Sequence, residues 1–291
     1  MREAESQVSI IIPNLNSKMI DETLQSLLAQ TALGRIAEII VVGLDEPGLV
    51  YEHNFVCFVD TKQPVTAPVA RNIGIRLALG KYLAFIDSDC VADRRWLENL
   101  LQAQEAGHPV TGGSISFSTT PYWQLCYNLT MFHDFVCSAS LGDRKNMGTL
   151  NLCVARDVVE HVGLMDERLA RGQDTEWTLR MRRHGYRLHF VADAVVQHCP
   201  EVPSLTKILK LWHRSGQFNA WVRNHYKELI SPPPFYKYPL LLVLSSPLIG
   251  FAVTMRIFMR NPHLLRYIHT FPVVFLSKIA WCFGASRRIE L

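Results

Sequence analysis

Two carboxylates follow directly on a continuous apolar run in the sequence KYLAFIDSD, residues 81–89. In an extended chain, residues two apart point to the same side, so Asp87 and Asp89 can face one ligand. Carboxylate oxygens are the donors that Mg²⁺ and Mn²⁺ prefer. The pattern therefore predicts a divalent-metal site. The alternative is an ordinary turn, because Asp and Ser are common turn-forming residues.

The run before these carboxylates indicates the fold that must position them. Apolar residues at every position, without polar alternation, are typical of a strand buried on both faces of a parallel sheet, and ligands bind at the carboxyl ends of such strands. Strands and helices alternate over the first third of the chain, which predicts βαβ units. The predicted strands are 8–12, ended by Pro13, then 38–42 and 55–59, and a helix over 68–79 precedes the run.

Three further features in the middle of the chain have two interpretations each. Gly112 and Gly113 either let a ligand approach the backbone closely or form a simple turn. Asp174 either carries chemistry or caps the helix predicted from Thr175 to His184. His198 ends a predicted strand, and a histidine in that position is, taken alone, more often structural than a ligand.

The chain becomes more apolar after Pro200. Residues 205–226 mix aromatic and aliphatic side chains with Lys and Arg, and residues 238–255 contain no charge. Eighteen apolar residues just reach the length of a membrane-spanning helix, although two prolines interrupt them, whereas 271–284 is too short to span. We predict three regions: an α/β domain over 1–200, a basic amphipathic helix and Pro-rich linker over 201–237, and membrane-associated helices over 238–291. The alternative for the last region is a core helix of a soluble protein.

Composition excludes several classes of protein. The 291 residues carry a net charge of only +4, too little to indicate nucleic acid as a partner. Seven cysteines without a Cys-x-x-Cys pair indicate neither a zinc site nor a disulfide framework. Reduced thiols and a polar N-terminus without an apolar segment predict a cytoplasmic catalytic domain.

Several segments, in order along the chain, resemble the inverting family 2 glycosyltransferases of the GT-A fold. The match covers about residues 8 to 200, and its specificity comes from several motifs in sequence. The matching segments are VSIIIPNLN at 8–16, ARNIG at 70–74, the run at 80–89, Asn151 with Arg156, VGLMDE at 162–167, GQDTEW at 172–177 and AVVQH at 194–198. The resemblance implies a Rossmann-like, mixed and mostly parallel sheet flanked by helices.

Two segments depart from the family pattern. The family usually has an Asp-Asp-Gly-Ser loop after its second strand, and one of those carboxylates holds the nucleobase. Here the loop is VGLDE at 42–46, so Asp45 is the nearest candidate. The family's acidic motif usually begins Glu-Asp, whereas this chain has Gln173 before Asp174.

The resemblance implies a role for each candidate residue. It makes Asp174 the general base and Asp89 a metal ligand, with His198 as a second ligand of Mn²⁺ or Mg²⁺. The remaining residues implied in nucleotide-sugar binding are Pro13, Asn16, Asp45, Arg71 and Asp87. His213 and Arg214 lie either in a basic loop near the diphosphate or on an amphipathic helix at an anionic membrane.

These roles predict a metal-dependent hexosyltransferase-type enzyme. The expected donor is a nucleotide-diphosphate sugar of the UDP type, and the expected acceptor is a saccharide or a lipid-linked saccharide at a membrane. A different class remains open, a non-catalytic subunit that keeps the fold for binding or as a scaffold. A nucleotidyltransferase would need a Gly-rich, basic phosphate loop directly after the first strand. The loop here, Pro13 to Ser17, has neither glycine nor a basic residue, so this class is disfavoured.

Overall fold

The computed structural model describes residues 7–136, 142–287 and 289 of the chain. It divides into two compact units, which we call the sheet unit (residues 1–116 and 140–199) and the helical unit (117–139 and 200–291). The strands are β1 Val8–Leu15, β2 Ile36–Leu44, β3 Val56–Asp60, β4 Tyr82–Ile86, β5 Cys90–Ala92, β6 Val110–Ser116, β7 Asn151–Ala155 and β8 His189–His198. The α-helices are α1 Ile20–Leu28, α2 Ala67–Leu77, α3 Trp96–Glu105, α4 Tyr122–Phe132, α5 Arg156–Val162, α6 Gln173–Arg183, α7 Leu205–His225, α8 Pro239–Leu244, α9 Ser246–Arg260 and α10 Phe271–Ser286.

The eight strands form one mixed sheet in the order β3-β2-β1-β4-β7-β6-β8-β5. Strands β3, β2, β1 and β4 are mutually parallel, as the alternating strands and helices predicted. Strand β7 runs antiparallel to both β4 and β6, and β5 runs antiparallel to β8. The predicted α/β fold with a mixed, mostly parallel sheet is therefore confirmed.

Pro13 does not end the first strand, contrary to our prediction. Strand β1 continues to Leu15, and Pro13 is paired with Val42 of β2. The pairing with β4 on the other side stops at Ile11, so the missing N–H of Pro13 leaves no gap in that ladder.

Asn151 forms a buried polar hub in the sheet unit. Its Oδ1 accepts a 2.8 Å hydrogen bond from Trp96 Nε1, and its Nδ2 donates to the carbonyls of Ser114 and Ala194 at 2.8 and 2.9 Å. A Cβ at Gly113 would lie 1.9 Å from the Ala194 carbonyl oxygen and 2.5 Å from Asn151 Nδ2.

This packing answers the question left open for the two glycines. Both lie inside β6 and are buried, so they form neither a turn nor a contact surface for a ligand. Gly113 makes room for the Asn151 side chain, and a Cβ at Gly112 would lie 2.5 Å from Met147 Sδ.

The predicted eighteen-residue apolar stretch in the helical unit is not one helix. Ser245 separates α8 from α9. After α9, a 3₁₀ segment, Pro262–Thr270, continues directly into α10. Within the described residues, one helix, Pro262–Ser286, is long and apolar enough to cross a bilayer, and 44% of its most apolar window is buried. The predicted apolar stretch 271–284 lies within α10, and the kinked 3₁₀ segment before it supplies the rest of this length.

A lysine lies buried in this last helix. Lys278 Nζ donates to the Thr130 carbonyl oxygen at 3.1 Å and lies 3.8 Å from the centroid of the Trp212 ring. Burial lowers the pKa of Lys278 to about 7. The buried amine binds protons less readily than it does in the unfolded chain, so it costs stability at neutral pH.

We expect Asn151→Ala to destabilise the sheet unit by about 3 kcal/mol or more, because one indole N–H and two carbonyls lose their partner inside the protein. The measurement is the midpoint of urea unfolding. Asn99→Ala is the matched control, since Asn99 makes one exposed hydrogen bond to the Asp193 carbonyl, and about 1 kcal/mol or less is expected. Equal losses for the two variants would contradict the hub.

We expect Lys278→Met to stabilise the helical unit by about 1–3 kcal/mol at pH 7, because a hydrophobic side chain of similar length needs no desolvation of charge. The folded pKa is depressed, so the cost of Lys278 falls as pH rises towards the unfolded value, and the gain should shrink accordingly. Thermal unfolding at neutral and alkaline pH measures both effects. Lys210→Met, an exposed lysine on α7, is the control and should change little. A large loss of stability in Lys278→Met would show that the contacts with Thr130 and Trp212 outweigh desolvation.

Candidate active site

The turn after β4 carries the predicted carboxylate pair. All five residues of β4 are buried, and the strand is paired with β1 on one side and β7 on the other. The chain therefore emerges at the middle of the sheet edge with Asp87, Ser88 and Asp89. Ser17 Oγ donates a 2.7 Å hydrogen bond to the Ser88 carbonyl, which fixes this turn to the loop after β1.

Asp89 and His198, the two residues for which a metal-binding role was predicted, lie side by side. Strand β5 pairs with β8 so that Cys90 is opposite His198, and Cys199 N–H donates to the Asp89 carbonyl at 2.8 Å. The closest carboxylate oxygen of Asp89 is 3.7 Å from His198 Nε2. The donor atoms of Asp89, Cys90 and His198 all lie within 4.8 Å of one another.

The chemistry of this donor set fits a divalent cation such as Mn²⁺ or Mg²⁺. Asp89 supplies a hard oxygen donor, and His198 supplies an imidazole nitrogen beside it. Burial and the charges of Asp89 and Asp87 raise the pKa of the Cys90 thiol, and hard cations such as Mn²⁺ and Mg²⁺ favour oxygen over sulfur donors. Asp89 and His198 are therefore the residues that could hold a divalent ion.

Arg71 is a buried cation beside the carboxylate pair. It lies on α2, its side chain is 3% exposed, and Nη2 forms an ion pair with Asp87 Oδ1. Within the described structure, Arg71 Nε and Nη1 are buried and have no hydrogen-bond partner. Buried donors without an acceptor are costly, so this guanidinium is suited to an incoming phosphate or carbonyl oxygen.

Asp174 lies in the first turn of α6, not at its cap. The helix begins at Gln173, and the capping position is Gly172 in a left-handed conformation, with φ +74°. Asp174 Oδ1 accepts the N–H of Thr175 at 2.7 Å, and Oδ2 lies 3.5 Å from the position of a Cβ on Gly148. The capping interpretation therefore does not account for the second carboxylate oxygen.

Electrostatics connect these side chains into one cluster. Burial raises the pKa of Asp174, the Arg71 cation opposes the rise, and the Asp87 carboxylate adds to it. Burial also raises the pKa of Asp89, which His198 and Arg71 oppose and Asp87 increases. Since Arg71 and Asp87 influence both aspartates, the four side chains share one region of the sheet edge.

The remaining predicted residues form a corner at the ends of β1 and β2. Asn16 has φ +56°, donates its N–H to the Leu44 carbonyl at 3.0 Å and accepts the Glu46 N–H on Oδ1 at 2.9 Å. Asp45 Oδ2 accepts the Val50 N–H at 2.7 Å, while its Oδ1 is buried without a partner in the described structure. Pro13 precedes this corner on β1. Asp45 thus has a free acceptor for a donor group such as a base N–H.

Three residues of this cluster were not predicted from the sequence. Cys90 directly follows the carboxylate pair. It lies opposite His198 because β5 pairs with β8, two strands that are far apart in sequence. Ser17 had a visible signal, a hydroxyl at the end of the first loop, but no local pattern shows that it binds Ser88. Nothing in the local sequence indicates that Gly148 lies against the Asp174 carboxylate. His213 and Arg214 belong to α7 of the helical unit, so that segment is a helix and not a loop.

Comparison with known proteins gives a consistent result. The profile of glycosyl transferase family 2 matches residues 9–134. Glycosyltransferase AglE of Haloferax volcanii is 31% identical over 229 residues, 74% of either chain. The crystal structure of GalNAc-T7 with UDP, GalNAc and Mn²⁺ superposes with a TM-score of 0.55 at 16% identity, covering 79% of this chain.

That likeness shows a shared fold, and the chain spans about half, 52%, of the length of the GalNAc-T7 structure. The extent and identity of the match to AglE decide the family. The chain belongs to glycosyltransferase family 2.

Proposed function

We propose that this protein is an inverting glycosyltransferase that moves a sugar from a UDP-type nucleotide sugar to a hydroxyl of a saccharide or lipid-linked acceptor. The observation that supports it most is the cluster of Asp87, Asp89, Arg71 and Asp174 at one edge of the sheet. The same edge would hold a nucleoside diphosphate beside a general base.

The nucleotide would lie across the ends of β1, β2 and β4. Asp45 Oδ1 would accept from the base, and the backbone after Pro13 would complete the pocket. Arg71 Nε and Nη1 would donate to the diphosphate, which gives partners to two buried donors. Asp87 would orient Arg71 and contact the ribose.

Asp89 and His198 would hold Mn²⁺ or Mg²⁺. When bound, the cation neutralises charge that develops on the departing diphosphate. The solved GalNAc-T7 structure contains Mn²⁺ together with UDP, which supports this assignment.

Asp174 would act as the general base. It accepts the proton of the acceptor hydroxyl as that oxygen attacks the anomeric carbon; the bond from this carbon to the diphosphate breaks, and the nucleoside diphosphate leaves. The burial that raises the pKa of Asp174 makes it a stronger base than an exposed aspartate. A single direct displacement inverts the configuration at the anomeric carbon.

A membrane is the proposed location, with the sheet unit on the cytoplasmic side. The apolar helix Pro262–Ser286 supports membrane association by length and composition. A lipid-linked acceptor would then be presented at the surface to which the helical unit is bound.

We expect Asp174→Asn to lower the transfer rate by about 10²–10⁴-fold, because the amide cannot accept the proton of the acceptor. Binding of UDP should change by less than about twofold. The measurement is UDP release from a panel of UDP-sugars with saccharide and lipid-linked acceptors. Asp166→Asn, an ion-paired carboxylate in the loop before α6, is the control and should retain activity.

The pH dependence of the transfer rate is a second test of Asp174 as the general base. Transfer by the unchanged protein should fall as pH drops through the raised pKa of Asp174, above the ordinary value for aspartate. Transfer that survives in Asp174→Asn would overturn the assignment of the base.

We expect UDP with Mn²⁺ to raise the melting temperature by on the order of 5 °C at about a hundredfold excess over Kd. Asp89→Asn should remove most of this shift, since one ligand of the metal is lost. Asp157→Asn, an exposed carboxylate on α5, is the control and should keep the full shift.

The outcomes also separate the enzyme from the non-catalytic alternative. Metal-dependent UDP binding without transfer to any acceptor would favour a binding or scaffold subunit. A shift that is equal with and without metal, or unchanged in Asp89→Asn, would refute the proposed ligand.

A further inference from the structure

An exposed apolar stripe runs along the helical unit. Leu244 at the end of α8 is followed on α9 by four side chains spaced three or four residues apart, so all lie on one helix face. Leu248 and Met259 are 77% and 71% exposed. The stripe consists of Leu244, Leu248, Phe251, Met255 and Met259.

The opposite face of α9 is the one that packs inside the unit. Gly250, Thr254, Ile257 and Phe258 are buried there, and a Cβ on Gly250 would approach Ile279 to 3.2 Å. The stripe is therefore not a misplaced core face. Most of the stripe remains in water, although Phe251 packs edge-on against Phe271 with 6.1 Å between the ring centroids.

The charges around the stripe have one sign. The sequence contains no Asp or Glu from residue 229 to residue 289. Arg256 and Arg260 are exposed on α9 beside the stripe, and Arg266 is exposed in the 3₁₀ segment. An apolar face on a segment whose only charges are cationic complements an anionic bilayer surface. It disfavours a second copy of the chain, because the same cations would face each other.

The packing of α10 excludes an isolated span. A Cβ on Gly284 would lie 1.8 Å from the His213 carbonyl oxygen, and a Cβ on Gly216 would lie 2.1 Å from the Trp281 carbonyl oxygen. Helices α7 and α10 therefore touch backbone to backbone. Inserting α10 across a bilayer would take α7 with it, and α7 carries the exposed cations Lys207, Lys210 and Arg214.

We propose that the helical unit lies on the surface of an anionic lipid bilayer, with the stripe on α8 and α9 inserted into the interface and no helix crossing it. Helix α9 has 15 residues and is about 22 Å long, shorter than the apolar core of a bilayer. The proposal deepens the membrane association within the proposed function and does not depend on the transfer reaction.

The test is flotation of the full-length protein with vesicles of phosphatidylcholine that contain roughly one-third phosphatidylglycerol. The double variant Leu248→Gln with Met259→Gln should bind about tenfold more weakly or worse, because two apolar side chains no longer enter the interface. The matched control is Leu77→Gln with Leu79→Gln, two exposed leucines of the sheet unit, which should bind as the unchanged protein does.

A second pair of variants tests the charge. Arg256→Gln and Arg260→Gln should each weaken binding to the anionic vesicles by about fivefold, and about 1 M salt should have a similar effect. Binding to pure phosphatidylcholine should be weaker from the start and unaffected by these substitutions.

Three results would overturn the proposal. Binding that is unchanged in the Leu248 and Met259 variant would show that the stripe is not inserted. Protein that resists extraction from cell membranes by alkaline carbonate would show a spanning helix. Self-association that is lost in the same variant, with vesicle binding intact, would show that a second copy covers the stripe.

The thermal shift with UDP and Mn²⁺ separates this proposal from the proposed function. The double variant should keep that shift, since the stripe belongs to the helical unit and the nucleotide residues belong to the sheet unit. If the double variant loses vesicle binding but keeps the thermal shift, the result supports the membrane surface and leaves the proposed function unaffected. If the unchanged protein shows no thermal shift with UDP and Mn²⁺, the result refutes the proposed function and leaves the membrane surface unaffected.

Discussion

The compensation of negative charge by Arg71 is the interaction on which the candidate site depends. Asp87, Asp89 and Asp174 are brought to one region of the sheet edge, where burial already raises the pKa of two of them. Three carboxylates this close would disfavour each other's ionised form. The buried guanidinium pairs with Asp87 and opposes the rise in the pKa of both Asp89 and Asp174, together with His198 at Asp89 and the Thr175 N–H at Asp174.

Arg71 still has N–H donors without partners after it has paired with Asp87. A guanidinium has five N–H donors, and here the pair with Asp87 uses one nitrogen while two others are buried without partners. Such a cation is satisfied only when an acceptor with several oxygens arrives. Asp45 Oδ1 is the converse case, because it is a buried acceptor without a donor. In the proposed complex, the phosphate and the base of the nucleotide would be the partners of these two groups.

Local patterns predicted the parts of the site that come from one strand. The apolar run of β4 and the spacing of Asp87 and Asp89 needed no long-range information. The neighbourhood of Asp89 and His198 could be predicted only through the family resemblance, because it depends on the pairing of β5 with β8 across more than a hundred residues. Packing could not be predicted at all: Gly113 is glycine because Asn151 and the Ala194 carbonyl occupy its side-chain space, and both lie far away in sequence.

The departure from the family pattern after β2 has a physical cause in this chain. Gly43 has φ +141°, and a Cβ there would lie 1.7 Å from the carbonyl oxygen of Asn14, its partner in the parallel ladder. A carboxylate at that position would require β1 and β2 to separate. The loop instead carries its carboxylate at Asp45, one residue beyond the strand, where the Val50 N–H fixes one oxygen and leaves the other available. The close approach of the two backbones explains why residue 43 is glycine, and Asp45 is the carboxylate that this loop offers to the proposed nucleotide.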